Sequence, residues 1–567
     1  MRKMLARIRG QVLRPALCLI LLLAAFTCPH VGAQGPSPGF QLGYNSHFSQ
    51  GWPDKVWFLV DDLPADILRD GLHWNEIERS PGQIAFNPEN SGYLREACRR
   101  GLRPIPVIAM SNPLYDEGKT IHTPAGRLAL GRFVAAVADE FDGCVAGIEL
   151  GNEINSEGRI NGPAAADGPA YYVEMLKAIW QAVKPRHPDF LIVGGGAHSV
   201  ATGFLERMFA VGGLDYMDAV AVHPYRSGPD GLGGLDWELE NLRSVMRRHG
   251  PERPIWATEF GIEISDQAAS DLQSPIFMAR MIAMMATNGV RQASWYALRD
   301  EQWWPNMGLF RLDGEMKPAA RAFDFLRRQV LASGPARRLN EAVPALYHAV
   351  FGETFQIIWG APRPFSVEGT ATFLDLQGNP IEKPAAISET PFLLKGRATI
   401  RLGPASVAAD SLSGYARAPW SYYARPASGT LLPLTVRNWT WTSDLVSPSN
   451  GDLNVGPQTL LPAGARDNPT NVVIRLAVPG DGAFVISSCV SSKDPDSLEM
   501  TLRHNGSDLQ KISLTPAPAD HPQQVQLHAG DVIEWEFAPI GPRWPAYGHY
   551  RLRLLSSTNA DGVSCGS

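Results

Sequence analysis

The chain has 567 residues, of which 44% are hydrophobic and 19% charged, with a formal net charge of -6. That length exceeds one ordinary core, so two or three domains are expected. Acids and bases are interspersed, which argues against a grip on nucleic acid or on an anionic membrane by bulk charge.

The first element in chain order is a targeting segment. Arg2, Lys3, Arg7, Arg9 and Arg14 precede the apolar run 16–26, and Val31-Gly32-Ala33 follows it. This pattern reads as a secretory signal over residues 1–33, cleaved after Ala33, and it predicts a secreted or periplasmic protein. The run is short of the roughly 20 residues that span a bilayer, so no membrane span is expected in the mature chain. Cleavage leaves Cys98, Cys144, Cys489 and Cys565, an even number bound for an oxidising compartment. Pairing within each half, Cys98 with Cys144 and Cys489 with Cys565, is the natural arrangement; buried free thiols are the alternative.

From residue 39 to 335, short apolar or β-branched runs alternate with amphipathic stretches of helical length. Eight runs are present: 40–44, 66–72, 103–109, 144–150, 190–196, 217–223, 253–260 and 290–298. Helix candidates between them include 125–141, 171–186 and 274–288. Eight strand-helix units over roughly 300 residues predict a closed (β/α)8 barrel, assigned to 34–335. No Gly-rich nucleotide turn opens a helix, and no cofactor is expected. Residues 336–405 then read as a small β-sandwich packed on the barrel, and 406–419, rich in Pro, Ser and Ala, as a linker. A C-terminal all-β domain of jelly-roll type fills 420–567. In its "VIEWEF" stretch Ile533, Trp535 and Phe537 share one face and Glu534 and Glu536 the other, as in a half-buried strand. "HNGS" at 504–507 is a tight-turn sequence.

In a (β/α)8 barrel, chemistry sits at the C-terminal ends of the strands. That rule singles out Asn152 and Glu153, just past the fourth run in "IELGNEIN", and Glu259, ending the seventh in "IWATEFG". Two carboxylates facing each other across a barrel mouth are equipment for breaking glycosidic bonds: one protonates the departing oxygen while the other attacks the anomeric carbon or activates water. Glu149 and Glu263 lie close by, and alternation assigns Glu149 to the outer or lower barrel.

On these residues the chain resembles retaining glycoside hydrolases of clan A, and family 39 with its bacterial exopolysaccharide-degrading relatives in particular. The resemblance covers about 39–403. It implies Glu153 as acid/base, Glu259 as nucleophile, and Asn152 as partner of the sugar 2-hydroxyl. "ILRDGLHWNEIERSPGQIAF" resembles the family's strand-two segment, in which Arg69 supports the nucleophile. "SNPLYD" resembles the strand-three loop of the exopolysaccharide-degrading members, bringing Asn112 and Tyr115 toward the substrate. "VHPY" implies His223 and Tyr225 as cleft residues, and "SWYALRDE" implies Trp295 as the platform under the sugar. The tetrad reads Asn-Glu-Ile-Asn where the family commonly has Asn-Glu-Pro-Asn. For retention, the acid/base is expected to have a raised pKa and the nucleophile a lowered one, at a separation of about 5 Å.

Trp303 and Trp304, in the loop after the eighth run, can stack on sugar faces beyond the bond cut, or anchor the loop. Trp439, Trp441, Trp544 and Tyr547 can form a carbohydrate-binding face on the last domain, or core. Asn438 and Asn505 stand in glycosylation sequons. No metal ligand set is expected, because no second His or Cys stands at ligand spacing from His223. The expected partner is a poly- or oligosaccharide, met by a monomer. Two functions are compatible with this pattern: a secreted retaining glycosidase, free of cofactors and endo-acting on a bacterial exopolysaccharide, or a catalytically silent carbohydrate-binding or matrix protein on the same fold.

Overall fold

The computed structural model describes residues 39–226, 233–449, 451–464, 468–541, 545–557 and 565, so the expected signal segment lies outside the described residues. Eight parallel strands close a barrel: β1 Gln41–Asn45, β2 Ile67–Leu72, β3 Arg103–Ile108, β4 Gly147–Leu150, β5 Leu191–His198, β6 Ala219–His223, β7 Ile255–Phe260 and β8 Val290–Trp295. Closure is made by β1, which pairs with β2 (Tyr44 beside Leu68) and with β8 (Gln41 beside Gln292). At the lower end Ile67, Ile105, Ala146, Val193, Ala221 and Trp256 fill the interior, so the barrel is a packed core with its open mouth at the strand C-termini.

The outer helices include α1 Pro88–Arg99, α2 Pro124–Glu140, α3 Gly168–Val183, α4 Thr202–Ala210, α5 Leu235–His249, α6 Gln267–Thr287 and α7 Pro318–Phe325. Their starts follow local chemistry: the Thr123 side chain accepts from the Gly126 N–H with Pro124 in the first turn, and Asp266 accepts from the Ala269 N–H. Helix α6 begins seven residues before the expected 274, because the Asp266 cap outranks Ser274-Pro275 as the start signal and Pro275 is carried inside the helix.

Next come two small sheets. One is ordered β9 Ala336–Leu339, β10 Leu346–Phe351, β11 Phe355–Gly360, β15 Phe392–Lys395, β13 Thr372–Leu374; the other β14 Ala386–Ile387, β12 Arg363–Gly369, β16 Ala398–Leu402. Every residue of β10 and β11 is buried. One face (Tyr347, Ile357, Trp359, Leu393) joins the barrel core, and the other (Leu346, Ile358, Phe392, Leu394) meets Phe365 and Ile400 within the sandwich.

Residues 406–419 are not a free spacer. Val407–Asp410 forms β17, paired antiparallel with β18 Gly548–Ser556, and Tyr415 is buried in the C-terminal core. Apolar residues at 407, 409, 412 and 415 outweigh the Pro and Ser content that suggested a linker. The C-terminal part is a two-sheet antiparallel sandwich with Ile474, Ile486, Trp535 and Leu552 in its core. Asn505 and Gly506 both adopt left-handed backbone in the hairpin at "HNGS". Trp237 of α5 inserts into this core with its ring 5.0 Å from Tyr415, and Arg417 pairs with Asp236 and Glu240 of the same helix. Two disulfides are present, Cys98–Cys144 and Cys489–Cys565. Among the described residues no helix is long and apolar enough to cross a membrane.

Candidate active site

A cleft of about 980 Å³ opens at the barrel mouth, lined among others by Asn45, Arg69, Asn152, Glu153, His198, Tyr225, Glu259 and Tyr296. The chain turns sharply after β4: Gly151 has φ +76° and Glu153 φ +49°. A side chain at Gly151 would meet Ile154 at 2.5 Å. A left-handed non-glycine residue costs about 1–3 kcal/mol and persists only where its surroundings hold it. Here that conformation aims the Glu153 carboxylate across the mouth toward Glu259.

Glu259, at the end of β7, accepts from Arg69 Nη1 at 2.6 Å on Oε1 and from the Tyr225 hydroxyl at 2.8 Å on Oε2. Arg69 is buried and also donates to Glu149 (2.6 Å), Asn45 (2.9 Å) and the Asn152 side-chain oxygen (2.7 Å). One guanidinium thus fixes the nucleophile candidate and the amide beside the acid/base candidate. Glu149 is fully buried inside the barrel, bonded to Arg69 and to Thr258 Oγ1 at 3.0 Å. Of the outer or lower barrel that alternation offered, the outer is excluded: Glu149 points into the barrel interior and is not among the cleft-lining residues; in a closed barrel the inner face is as buried as the outer one, so polarity gives no guide.

His223, fully buried at the end of β6, has Nδ1 3.6 Å from both Glu153 Oε1 and Glu259 Oε2, and Nε2 3.9 Å from Glu149 Oε1. These separations exceed hydrogen-bonding range, so the ring acts on the acids by charge. Burial opposes its protonation, but Glu259, Glu149 and Glu153 together raise its pKa from 6.5 to about 9. Oxygens of Glu153 and Glu259 and a ring nitrogen of His223 lie within 4.8 Å of one another. The trio has the donor types of a cation site as well, yet Arg69 already supplies positive charge to Glu259.

Glu153 departs from the expected raised pKa. His198 Nδ1, at 2.8 Å from its Oε1, and then His223 hold its carboxyl far below the usual carboxylate range, against a smaller upward push from partial burial. Glu149 is likewise low, at about 2: burial pushes it up, and Arg69 and His223 prevail. His198 escaped the sequence reading because the fifth run was closed at residue 196, while β5 continues to His198; inspecting two more residues would have found it.

Trp295 is not a platform in the cleft. It is fully buried, donates its indole N–H to the Met307 carbonyl at 2.8 Å, and packs edge-on to Phe260 and Phe277 in the helix layer. The next residue, Tyr296, lines the cleft instead, and burial plus the Glu259 charge push its hydroxyl up to about 12. Asn112 is fully buried and braces its own turn by accepting from the Leu114 N–H, and the Tyr115 hydroxyl donates to Glu78 while its ring stacks on Trp74. Neither lines the cleft; their polar ends are spent on the loop's own turn and on Glu78. Trp304 lines the cleft, whereas Trp303 is 84% exposed outside it. Trp439 and Trp441 sit against the barrel, where their carbonyls accept from Gly203 N–H and Ser199 Oγ. Tyr547 is exposed beside Lys493, and Trp544 lies outside the described residues. The Asn438 amide donates to Glu206 and its oxygen accepts from Asn241, so this sequon is occupied by the junction.

A family model described as glycosyl hydrolase catalytic core matches residues 182–323. That stretch of the barrel is similar to a glycosyl hydrolase catalytic core. A glycosidase acting on carbohydrate is what the match supports. The matched segment takes in His198, His223, Tyr225 and Glu259 and begins after Arg69 and Glu153, whose part rests on the geometry above. No curated protein matches the sequence. Among solved structures, the chain is similar to a family 39 glycoside hydrolase from the gut symbiont Bacteroides cellulosilyticus WH2, with 20% identity and a TM-score of 0.51 over 63% of this chain and 80% of that one. A monomeric β-xylosidase from Caulobacter crescentus CB15 follows at 13% identity and a TM-score of 0.43, over 89% of this chain and 98% of that one. Only the first superposition is close enough to bear on the fold, and it does so for the barrel architecture.

Proposed function

We propose that this protein is a secreted, monomeric, retaining glycoside hydrolase that cleaves O-glycosidic bonds of a polysaccharide by double displacement. The observation that carries the reading is the approach of Glu153 and Glu259 to within 4.8 Å across the cleft. Retaining enzymes hold their carboxyl groups about 5–5.5 Å apart, and inverting ones about 6.5–9.5 Å to admit water between sugar and base. Glu259, aimed by Arg69 and Tyr225, attacks the anomeric carbon. Glu153 protonates the departing oxygen and later takes a proton from water as the glycosyl ester is hydrolysed. Asn152, with its oxygen taken by Arg69, offers its NH2 to the sugar 2-hydroxyl, and Tyr296 contributes a hydroxyl beside the nucleophile.

A cleft near the top of the about 300–1,000 Å³ range of small-molecule sites suits an oligosaccharide segment better than a single sugar. Together with the "SNPLYD" resemblance it supports endo action on a bacterial exopolysaccharide. The charged-then-apolar N-terminal segment and two disulfides support export.

The test has two arms. Incubation with 2-fluoro glycosides of several sugars, followed by peptide mass spectrometry, should find the adduct on Glu259. A polysaccharide panel should show release of shortened chains with retained anomeric configuration. Measurable binding with no cleavage of any aryl glycoside or polysaccharide would favour a silent carbohydrate-binding protein instead.

A further inference from the structure

Three observations outside the carboxylate pair meet at one place. His198, the last residue of β5, holds Glu153 at 2.8 Å. Its ring lies edge-on to Trp441 with centroids 5.5 Å apart, and Trp441 belongs to the C-terminal sandwich. The segment carrying both is fastened to the barrel on each side of the ring. Ser199 Oγ donates to the Trp441 carbonyl, Gly203 N–H to the Trp439 carbonyl at 3.1 Å, and the Asn155 amide both to the His198 carbonyl at 3.1 Å and to the Thr440 carbonyl at 3.4 Å. Asn155 in turn accepts from the His198 N–H at 2.8 Å.

The barrel loop is shaped for this contact. Ser199 and Ala201 both have left-handed backbone, at φ +62° and +44°, a conformation that surrounding contacts must hold in place. At Gly203 a Cβ would stand 2.4 Å from the Asn438 carbonyl oxygen and 2.5 Å from that of Trp439, so no side chain fits while the sandwich is seated. A surface module tethered at random would place no such demand on a barrel helix.

We infer that the C-terminal sandwich is part of the catalytic apparatus: through Trp441 it holds His198, and His198 is the positioning residue and proton partner of Glu153. This rests on the reading of Glu153 as acid/base. The step is a proton shift along the existing contact. In the free protein His198 and His223 hold Glu153 ionised, so His198 Nδ1 is the donor across the 2.8 Å contact. When a sugar excludes water, charge separation is disfavoured, the proton crosses to Glu153 Oε1, and it passes from there to the glycosidic oxygen as the C1–O bond breaks. The proton lost by the attacking water in the second displacement returns to Glu153 and restores the pair. Other charges act on the same site: His223, Glu259 and Arg69 from inside the barrel, and Arg159, Arg226 and Glu263 along the cleft. The C-terminal segment presents the indole of Trp441 to the His198 ring.

The experiment uses the full chain with 13C-labelled histidine, assigning the His198 ring signal by its loss in His198→Gln. Its titration should move down by about one pH unit or more in Glu153→Gln, as expected for loss of an adjacent opposite charge. Trp441→Ala and Gly203→Val, neither of which alters a cleft carboxylate, should each move it in the same direction by less. In kinetics, His198→Gln should lower kcat about tenfold or more on a glycoside with a poor leaving group, shift the pH profile of that reaction, and spare an activated aryl glycoside. Trp441→Ala should reproduce this in weaker form. A His198 titration unchanged by Glu153→Gln and by Trp441→Ala would overturn the inference, whatever the activity of the parent. A titration that responds while the parent cleaves nothing would keep the His198 contact and remove the glycosidase reading. Should Gly203→Val not fold, Trp441→Ala still decides.

Discussion

The molecule contains two arginine–carboxylate networks with opposite charge balance. On the outer sheet of the C-terminal sandwich, Glu534 and Glu536 of the strand Val532–Pro539 are met by Arg425, Arg475 and Arg503 from three strands of the same sheet. Both glutamates are buried, so the face expected to be wet is roofed by guanidinium groups. Burial pushes the Glu534 carboxyl up, and Arg425 and Arg475 more than offset it, leaving it low. At the barrel mouth a single arginine, Arg69, serves Glu149 and Glu259, with Glu153 left to His198 and His223. Three arginines for two acids make a network whose charge state is locked. One arginine and two titratable rings for three acids make one in which a proton can change place at moderate cost, which is what acid–base chemistry requires.

The sharpest break in this comparison is expected at Glu259. Glu259→Ala should cut kcat on the order of 10⁵-fold, and azide should restore part of it with an inverted glycosyl azide as product. Glu153→Ala should cost about 10²–10⁴-fold on substrates with poor leaving groups, spare activated ones, and give a retained azide product. Reversed anomers in the two product analyses would exchange the assigned roles.

Arg69→Met removes the one arginine that serves both Glu149 and Glu259. It should lower stability by about 3–5 kcal/mol, measured by denaturant unfolding, and abolish turnover. Adding Glu149→Gln should return much of the stability and none of the activity, because the fully buried charge of Glu149 is then gone but Glu259 still lacks its cationic partner.

His223 gives a pH signature. Its folded pKa of about 9 lies above the ordinary 6.5, so its contribution to stability is fully present below about pH 6.5 and is lost as pH rises toward 9. Thermal unfolding followed from pH 6 to 9.5 should show that decline in the parent and a flatter profile in His223→Asn. Smallest is the effect in the locked network. Arg425→Met leaves both glutamates with another arginine, and should cost about 1 kcal/mol with turnover of an aryl glycoside unchanged. A large loss of activity there would dissolve the distinction between the two networks.

The positions that the strand-end rule singled out were legible because the rule needs only run lengths and order: Asn152, Glu153 and Glu259 all open onto the cleft. Direction within a strand was not legible. Trp295 and Tyr296 are adjacent, and the larger aromatic faces the helices while the smaller faces the cleft. Asn112 and Tyr115 look like ligand-binding polar residues, but their hydrogen bonds close a turn and meet Glu78.

What the sequence determined by itself was the repeating order of strands and helices, the change to all-β texture after the barrel, and which strand ends carry acids. These follow from periodicity and spacing, which are local properties of a chain that must bury one face of each element. The tertiary structure alone decided that Glu149 belongs to the Arg69 network, that His198 holds Glu153, and that residues 438–443 of the sandwich seat against β5 and α4. Barrel strands are buried on both faces, so alternation there carries no direction. A contact such as Ser199 with Trp441 joins residues 242 apart, and its only local trace is a glycine at 203 whose reason becomes visible when the sandwich is in place.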